Sequence, residues 1–427
     1  MHIRNATLAD GRQRDVRVVG ERIQSVAESV ETREGERVVD ATGKRLLPGM
    51  VDMHVHLRQP GFGHKETWRT GTRSAAAGGV TTVVDQPNTD PPTVDGTAFD
   101  RKRGFADDAT VDFGLNGGVT GSWDPDSLFD RPLCALGEVF LADSTGEMGI
   151  DEALFVEALE CADGLPVTVH AEDESLFEEA ARERSDADAW SAYRRADAEI
   201  AATRRACRLA AERDRRIHIA HASTPESVDA AARAGSTCEV TPHHILLSRR
   251  DLGDLGTHGR MNPPLRRERH RRKLFDRVAD GTVDVVATDH APHTREEKAT
   301  GIWEAPSGVP GVETALPLLL GEARQGRLGF DRIRDLTARN PAAILGLPEK
   351  GTITAGTHAD LVLVDPAATG EIRATDLHTS CEWTPFEGHE AVFPEWTMCR
   401  GQVLYRRETD EFEPLQGENV RRQRGGS

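Results

Sequence analysis

Long apolar segments are absent from this chain of 427 residues. No stretch approaches the roughly 20 consecutive apolar residues that a membrane-spanning helix needs. The first residues, MHIRNATLADGRQRDVRVVG, also lack the apolar centre of a secretory signal. The sequence therefore predicts a soluble, cytoplasmic protein.

Cysteine is scarce and shows no paired arrangement. The six cysteines are scattered along the chain and form no CxxC motif. This distribution is typical of reduced thiols in the core of a cytosolic protein, and it argues against a disulfide framework.

Lysine is the rarest of the charged residues. The six lysines are Lys44, Lys65, Lys102, Lys273, Lys298 and Lys350, and the other 47 of the 53 basic residues are arginine. Against 71 acidic residues they leave a formal net charge of −18. Such a charge disfavours nucleic acids and anionic membranes as partners. An acidic, lysine-poor composition resembles that of proteins from salt-loving organisms, where salt screens the self-repulsion.

No GxGxxG fingerprint follows the first strong strand candidate, which disfavours a doubly wound open sheet. Between residues 49 and 347, apolar strand-like runs alternate with helical stretches, and this alternation indicates an α/β fold with a parallel sheet. The candidate strands are 50–56, 81–86, 110–117, 136–141, 166–170, 216–221, 237–241 and 283–289. The candidate helices are 69–78, 152–161, 196–213, 224–234 and 312–323. About eight such units predict a (β/α)8 barrel of the TIM type, with the charged stretch 172–195 on its rim or outside.

The two ends of the chain differ in texture from the middle. Short strand candidates broken by turns occupy residues 1–48 and return in residues 348–405. Neither segment is long enough to close a good sheet alone, so we expect one small β-sandwich domain built from both. Residues 406–427 lack apolar periodicity and are expected to form a loosely held tail.

One ten-residue stretch, DMHVHLRQPG at 52–61, points most directly to a functional site. Side chains alternate along a strand, so His54 and His56 face the same way at a strand end, and Arg58 follows on that face. Paired imidazoles suit a divalent metal, and a planar guanidinium suits a carboxylate. For this pair alone, two unrelated histidines on one strand are the alternative interpretation.

Further candidate ligands stand at the ends of other predicted strands, namely Glu138, His170, His221 and Asp289. Because a barrel brings the carboxyl ends of its strands together on one face, we predict that these residues join His54 and His56 in one metal site. Six such donors suit two cations that share a bridging carboxylate and a water. Mixed imidazole and carboxylate donors favour two zinc ions, with manganese or cobalt as substitutes.

Over about residues 1–405 the chain resembles the dihydroorotase family of cyclic amidohydrolases. The matching stretches are DMHVHLRQPG, GTRSAAAGGVTTVVDQPNT, VHAED, IHIAHAST, VTPHH, MNPPLR, ATDHAPH and GVPGVET. The first stretch and ATDHAPH are shared with hydantoinases and allantoinases, so they identify only the superfamily. Arg58, Asn88 and Asn262 are the more specific matches.

The resemblance implies metal contacts from His54, His56, His170, His221 and Asp289. It also implies that Arg58, Asn88 and His293 bind the substrate carboxylate, that Asn262 faces the pyrimidine ring, and that loop 308–314 covers that ring. The implied reaction is the reversible cyclisation of N-carbamoyl-L-aspartate to dihydroorotate in pyrimidine biosynthesis, with Asp289 as the catalytic acid and base. This small molecule is the partner that the resemblance implies, and the sequence leaves a homo-oligomer open.

The chain departs from many of these relatives on the fourth predicted strand. Those relatives have a carboxylated lysine as the bridging ligand, whereas the stretch LGEVFLADSTGEM has Glu138 at that position. Glutamate supplies a carboxylate directly but reaches less far than a carboxylated lysine. We predict that Glu138 is the bridge, and Asp143 in the following loop is the alternative. A solvated or ion-paired Glu138 is the third interpretation.

Two other functions stay open at this point. An allantoinase or hydantoinase would keep the metal face without needing Arg58 together with Asn88 and Asn262. A non-catalytic scaffold protein of the same superfamily would be expected to have lost metal ligands. Here, five of the six positions carry the expected residue type and the sixth carries an acid.

Overall fold

The computed structural model describes residues 1–142, 148–162 and 164–421. Its strands are β1 (His2–Thr7), β2 (Gln13–Val19), β3 (Arg22–Ala27), β4 (Val38–Asp40), β5 (Arg45–Pro48), β6 (Met50–Val55), β7 (Val80–Asp85), β8 (Asp112–Leu115), β9 (Leu136–Leu141), β10 (Gly149–Ile150), β11 (Val167–Ala171), β12 (His218–Ile219), β13 (Thr237–Val240), β14 (Val285–Val286), β15 (Leu361–Val364), β16 (Gly370–Glu371), β17 (Glu390–Ala391), β18 (Pro394–Cys399), β19 (Gln402–Arg406) and β20 (Glu411–Phe412). Its α-helices are α1 (Trp68–Ala77), α2 (Gly96–Phe105), α3 (Pro125–Phe129), α4 (Glu152–Cys161), α5 (Ala189–Tyr193), α6 (Ala196–Ala211), α7 (Pro225–Arg233), α8 (Pro242–Leu246), α9 (Leu252–Leu255), α10 (Glu268–Asp280), α11 (Arg295–Lys298), α12 (Ala315–Arg324), α13 (Phe330–Arg334) and α14 (Asn340–Ile344).

Strands from both ends of the chain form one nine-stranded sheet. Its order is β20-β19-β18-β15-β5-β1-β2-β3, with β4 paired to β1. β15 lies antiparallel to β5 on one side and to β18 on the other, so it joins the two ends of the chain. Ile3, Val16, Leu46, Leu361 and Met398 form part of the apolar cluster on this sheet. The prediction that both chain ends build one β structure is confirmed for the sheet.

The middle of the chain forms two parallel sheets. One has the order β6-β7-β8 and the other has the order β10-β9-β11-β12-β13-β14. Each of the eight predicted strands overlaps with an observed strand, but β12 and β14 are only two residues long. Both are short because the chain turns away beyond them. His221 and Asp289 have φ values of 33° and 46°, which no extended strand allows.

Isolated parallel bridges lie at both junctions between the two parallel sheets. Gly117 pairs with Leu136 beyond β8, and Val55 of β6 pairs with His290 beyond β14. A single residue pair thus connects the two sheets at each junction. This arrangement collects the carboxyl ends of the parallel strands into one region.

The helices pack against these sheets, and each of the five predicted helices is present within a few residues. Threonine residues define the start of α1, where Thr67 and Thr70 form a capping box. The sequence analysis missed α2 and α10. In α10 only Leu274 and Val278 are buried, so its apolar pattern is weak. Within the described ranges, no helix combines the length and the apolarity needed to span a bilayer.

The C-terminal segment is held along its described length. β20 pairs with β19. Beyond it, Gly417 N–H donates to Ala109 O, and Phe113 in β8 exchanges backbone hydrogen bonds with Glu418 and Val420. The expectation of a loosely held tail is therefore wrong for residues 406–421. Backbone hydrogen bonds hold this segment without the apolar periodicity that sequence patterns detect.

A buried lysine ties the parallel sheets to the nine-stranded sheet. The Nζ atom of Lys350 lies 2.8 Å from Asp112 Oδ2 at the start of β8 and 2.7 Å from Asp360 Oδ2 just before β15. Arg400 Nε lies 3.1 Å from the other oxygen of Asp112. All four side chains are buried, so the charges depend on one another for compensation.

Replacing Lys350 with Met should lower the free energy of unfolding by about 3–5 kcal/mol, because it removes one partner from a buried ion pair. Urea titration followed by circular dichroism measures the loss. Lys273→Met, at an exposed position in α10, is the matched control and should change stability by less than about 0.5 kcal/mol. Equal unfolding midpoints for the two variants would contradict the proposed link.

Candidate metal centre

Six buried side chains meet where the parallel strands end. His54 lies in β6, Glu138 in β9 and His170 in β11. His56, His221 and Asp289 follow β6, β12 and β14 by one to three residues. All six predicted metal ligands are thus brought together, and each of them exposes less than a tenth of its surface.

The first group of donors consists of His54, His56 and Asp289. Their nearest ligand atoms all lie within 4.8 Å of one another. Asp289 Oδ1 lies 3.0 Å from His56 Nε2 and 3.6 Å from His54 Nε2. Burial raises the pKa of Asp289, but the hydrogen bond with His56 and the nearby imidazoles lower it to about 2, so the group is ionised at neutral pH.

Glu138 connects this group to the remaining histidines. Its Oε1 atom lies 2.5 Å from His221 Nε2 and 3.0 Å from His170 Nδ1. Its Oε2 atom points the other way and lies 3.5 Å from His54 Nε2. The two oxygens of one carboxylate therefore face different donor groups, as a bridging ligand requires. This geometry supports the prediction for Glu138.

The protonation pattern of the histidines fits a cation. His54 Nδ1 lies 2.5 Å from Glu239 Oε1, and His56 Nδ1 lies 2.7 Å from Asn88 Oδ1. The contact with the Glu239 carboxylate places the ring proton of His54 on Nδ1, so in the neutral imidazole its lone pair is on Nε2. Among the described residues, His54 Nε2 is buried without a hydrogen-bond partner although Glu138 and Asp289 lie near it. A lone pair that faces carboxylate oxygens is repelled unless a proton or a metal ion lies between them; burial lowers the pKa of His54, but the charges of Glu239 and Glu138 raise it, so the site favours a positive charge there.

Glu239 is an outer partner that the sequence analysis missed. Its Oε1 atom contacts His54 Nδ1 and also accepts a 3.3 Å hydrogen bond from the backbone N–H of His221. Its Oε2 atom lies 3.2 Å from His218 Nε2. One buried carboxylate thus orients two of the predicted ligands. Glu239 lies in the stretch EVTPHH, where it has the appearance of an ordinary residue of a buried strand.

A second outer carboxylate supports His170. Glu172 Oε2 lies 3.2 Å from His170 Nε2 and 2.6 Å from a guanidinium nitrogen of Arg194. Burial raises the pKa of Glu172, but the charge of Arg194 and the contact with His170 lower it to about 2. Outer-sphere contacts of this kind fix the orientation of metal-binding histidines.

A cationic cluster adjoins the metal centre. Arg58 lies 3.1 Å from His293 Nε2, and its Nε–H donates to Pro292 O at 3.1 Å. Burial lowers the pKa of Arg58 to about 10, so the guanidinium stays charged at neutral pH. Burial and the charge of Arg58 lower the pKa of His293 to about 3, so that imidazole is neutral. Lys65, which the sequence analysis missed, lies 3.2 Å from His293 Nδ1.

The other residues predicted to bind the substrate have contacts outside the cluster of Arg58, His293 and Lys65. Asn88 contacts the metal-site residue His56, whose Nδ1 lies 2.7 Å from Asn88 Oδ1. Asn262 instead accepts a hydrogen bond from Trp190 Nε1 at 3.1 Å. Gly308, in the predicted covering loop, has φ +134°, and a Cβ there would lie 2.5 Å from Ala291 O, so only glycine fits. Asp143, the alternative bridge, lies outside the described residues.

Comparisons with known proteins agree with this geometry. Residues 45–404 match the amidohydrolase family. The L-hydantoinase (dihydropyrimidinase) from Arthrobacter aurescens superposes with a TM-score of 0.92 at 27% identity, covering 99% of both chains. The dihydropyrimidinase from Brevibacillus agri gives a TM-score of 0.90 at 27% identity, covering 100% of this chain and 99% of the other. The fold and the buried site thus define an amidohydrolase.

Curated relatives narrow the assignment. The chain is 63% identical to a dihydroorotase from Halobacterium salinarum over 423 residues, which cover 98% of this chain and 99% of that protein. It is 40% identical to a dihydroorotase from Methanosarcina acetivorans over 441 residues, which cover 98% and 94%. The chain belongs to the dihydroorotase family, and the resemblance seen in the sequence is confirmed.

Glu239→Gln should weaken metal binding by roughly 10- to 100-fold, because it removes the negative charge that orients His54. Competition with a chromophoric chelator measures the affinity without relying on turnover. Glu313→Gln is the matched control, since Glu313 is also buried but contacts Ser74 and His378 instead. Equal affinities for both variants would show that Glu239 has no influence on the metal.

Glu138→Ala should lose at least one metal ion per chain, because Glu138 faces both groups of histidines. Metal analysis after dialysis measures the content, and Asp143→Ala serves as the control with little change. Because glutamate needs no carboxylation, reconstitution in carbon-dioxide-free buffer should give full loading, with no gain from bicarbonate. The opposite ranking of the two variants would move the bridge to the loop.

Proposed function

We propose that this chain catalyses the reversible hydrolysis of dihydroorotate to N-carbamoyl-L-aspartate, and that its biosynthetic direction is the ring closure that serves pyrimidine synthesis. The observation that carries the proposal is the buried guanidinium of Arg58 beside the metal centre. The identity of 63% to a dihydroorotase over nearly the whole chain supports the same reaction.

Arg58 favours a substrate that carries a carboxylate. Dihydroorotate is a monoanion and N-carbamoyl-L-aspartate is a dianion, so each can pair with a buried cation through charge-assisted hydrogen bonds. The rings of dihydrouracil and hydantoin carry no carboxylate. Such a ring would leave Arg58 buried without a counter-charge, which is costly. The buried charge of Arg58 therefore supports dihydroorotase activity over the hydantoinase and allantoinase alternatives.

We assign two divalent ions to the centre, zinc first and manganese or cobalt as substitutes, held by His54, His56, Glu138, His170, His221 and Asp289. The separation of the donors into two groups around Glu138 supports two ions. When bound, such ions lower the pKa of a water and polarise the amide carbonyl.

The residues of the chain then have separate tasks. Asp289 takes a proton from the attacking water and delivers it to the ring nitrogen as the amide C–N bond breaks. His56, 3.0 Å from Asp289, orients this carboxylate. Arg58 and His293 hold the substrate carboxylate. In the direction of synthesis the nitrogen attacks the carboxylate carbon, the ring closes and water leaves.

We also propose that the two parallel sheets close into a single (β/α)8 barrel over residues 49–347, with the small β domain formed by 1–48 and 348–405. The bridges at both junctions of the parallel sheets support closure. A barrel would also explain why ligands from strands far apart in the sequence meet at one end.

The decisive experiment compares ring opening of dihydroorotate, dihydrouracil and allantoin by the metal-loaded protein. We expect dihydroorotate to be hydrolysed with the highest kcat/KM, and N-carbamoyl-L-aspartate to be cyclised in the reverse assay. Preferred hydrolysis of dihydrouracil or allantoin would favour the sister functions. A fully metal-loaded protein that opens none of these rings would favour a scaffold role.

Arg58→Lys should reduce kcat/KM for dihydroorotate by roughly ten- to 100-fold, because lysine keeps the charge but loses the two-pronged contact, worth about 1.5–3 kcal/mol. Steady-state kinetics should show the loss mainly as a higher KM. Arg69→Lys, at an exposed position of α1, is the control and should leave the kinetics unchanged. Wild-type kinetics in Arg58→Lys would remove Arg58 from the substrate site.

A further inference from the structure

The segment between β11 and α6 carries an aromatic residue that touches the predicted substrate loop. Trp190 in α5 is 8% exposed, and its indole N–H donates at 3.1 Å to both Met261 O and Asn262 Oδ1. The guanidinium carbon of Arg260 lies 3.8 Å from the centre of the indole ring. One side chain therefore contacts three consecutive residues, of which Asn262 is predicted to face the substrate ring.

The direction of these contacts fixes the side chain of Asn262. An indole N–H can only donate, so the atom of the Asn262 amide that faces Trp190 must be the oxygen. The amide nitrogen then points away from Trp190. The orientation of Asn262 is thus set by a neighbour that lies more than 70 residues before it.

Trp190 also lies between the two functional parts of the site. The guanidinium of Arg194 is placed over the same ring at 5.6 Å, and Arg194 binds Glu172, the outer partner of His170. On the other side, Arg260 O accepts a hydrogen bond from the Gly308 N–H in the covering loop. A cation over an indole is stabilised by the ring, which compensates for the burial of Arg260. We call Trp190, Arg194 and Arg260 the rim clamp.

We propose that Trp190 is a positioning residue for ring recognition: through the rim clamp it holds Asn262 and the covering loop in register with the metal centre. This inference rests on the proposed function and on the prediction that Asn262 faces the substrate ring. It goes beyond that function by assigning substrate affinity to a residue that lies outside the resemblance motifs. A residue that serves ring binding equally in the ground state and the transition state changes KM and leaves kcat nearly unchanged.

The test replaces single indole groups by phenyl rings. Trp190→Phe keeps most of the ring but loses the N–H, and it should raise KM for dihydroorotate by roughly three- to tenfold with kcat within about twofold. Trp303→Phe is the matched control, because Trp303 packs on Trp190 at 5.7 Å while its own N–H donates to Arg184 O. Its KM should match that of the wild type. Thermal melting of both variants checks that they fold equally.

A double-variant cycle separates positioning from general packing. Asn262→Ala should raise KM by itself, and adding Trp190→Phe should then cause a smaller rise than Trp190→Phe causes alone, because part of its effect acts through Asn262 and only the bond to Met261 O remains to be lost. Additive effects, an equal KM increase in Trp303→Phe, or an unchanged KM in Trp190→Phe would each overturn the inference. Asn262→Ala keeps the test available if Trp190→Phe fails to fold, since an unchanged KM in that variant also overturns it.

The wild-type measurement distinguishes this inference from the proposed function. A wild-type protein that opens dihydrouracil or allantoin instead of dihydroorotate would refute the proposed function. The same KM comparison on the accepted ring would still decide whether the rim clamp positions Asn262.

Discussion

The contact on which the rest of the site depends is the one between Glu138 and three histidines. Burying a carboxylate among imidazoles is favourable only if each charge and each lone pair has a counterpart. Glu138 meets this condition by turning one oxygen toward His170 and His221 and the other toward His54. His54, Glu138 and His170 lie within parallel strands and His221 follows one, so the parallel arrangement brings these side chains within reach. The architecture of the parallel sheets is thus tied to one carboxylate.

Charged residues around this centre hold its histidines in their orientations. Glu239 and Glu172 orient the histidines, and Arg194 in turn holds Glu172. Scarce lysines are used in the same manner: Lys102, Lys298 and Lys350 are all buried, and Lys102 pairs with Asp85 at 2.5 Å. Three of the six lysines thus lie where a compact ammonium fits between buried oxygens, while arginine supplies most of the remaining positive charge.

The strands and the candidate metal ligands could be predicted from the sequence. The residues that hold these ligands in place could not. Apolar runs mark buried parallel strands, and histidines at their ends stand out because polar residues are rare there. Glu239 contacts His54 across 185 residues, and no local pattern reveals such a pair. Trp190 was hidden in a charged stretch whose helices are short. The ordered path of the C-terminal segment could not be predicted, because backbone hydrogen bonds that hold it are compatible with almost any side chain.

The pairing of β5 with β15 has a consequence for the order in which the protein can be made. A ribosome delivers β1 to β5 first, yet β15 and β18 emerge only after the whole parallel region has been synthesised. Until then β5 has an open edge, and exposed edges pair readily with other chains. A transcript cut short before Leu361 would leave that edge open permanently. The chain must therefore be translated almost to its end before the edge of β5 is protected from pairing with other chains.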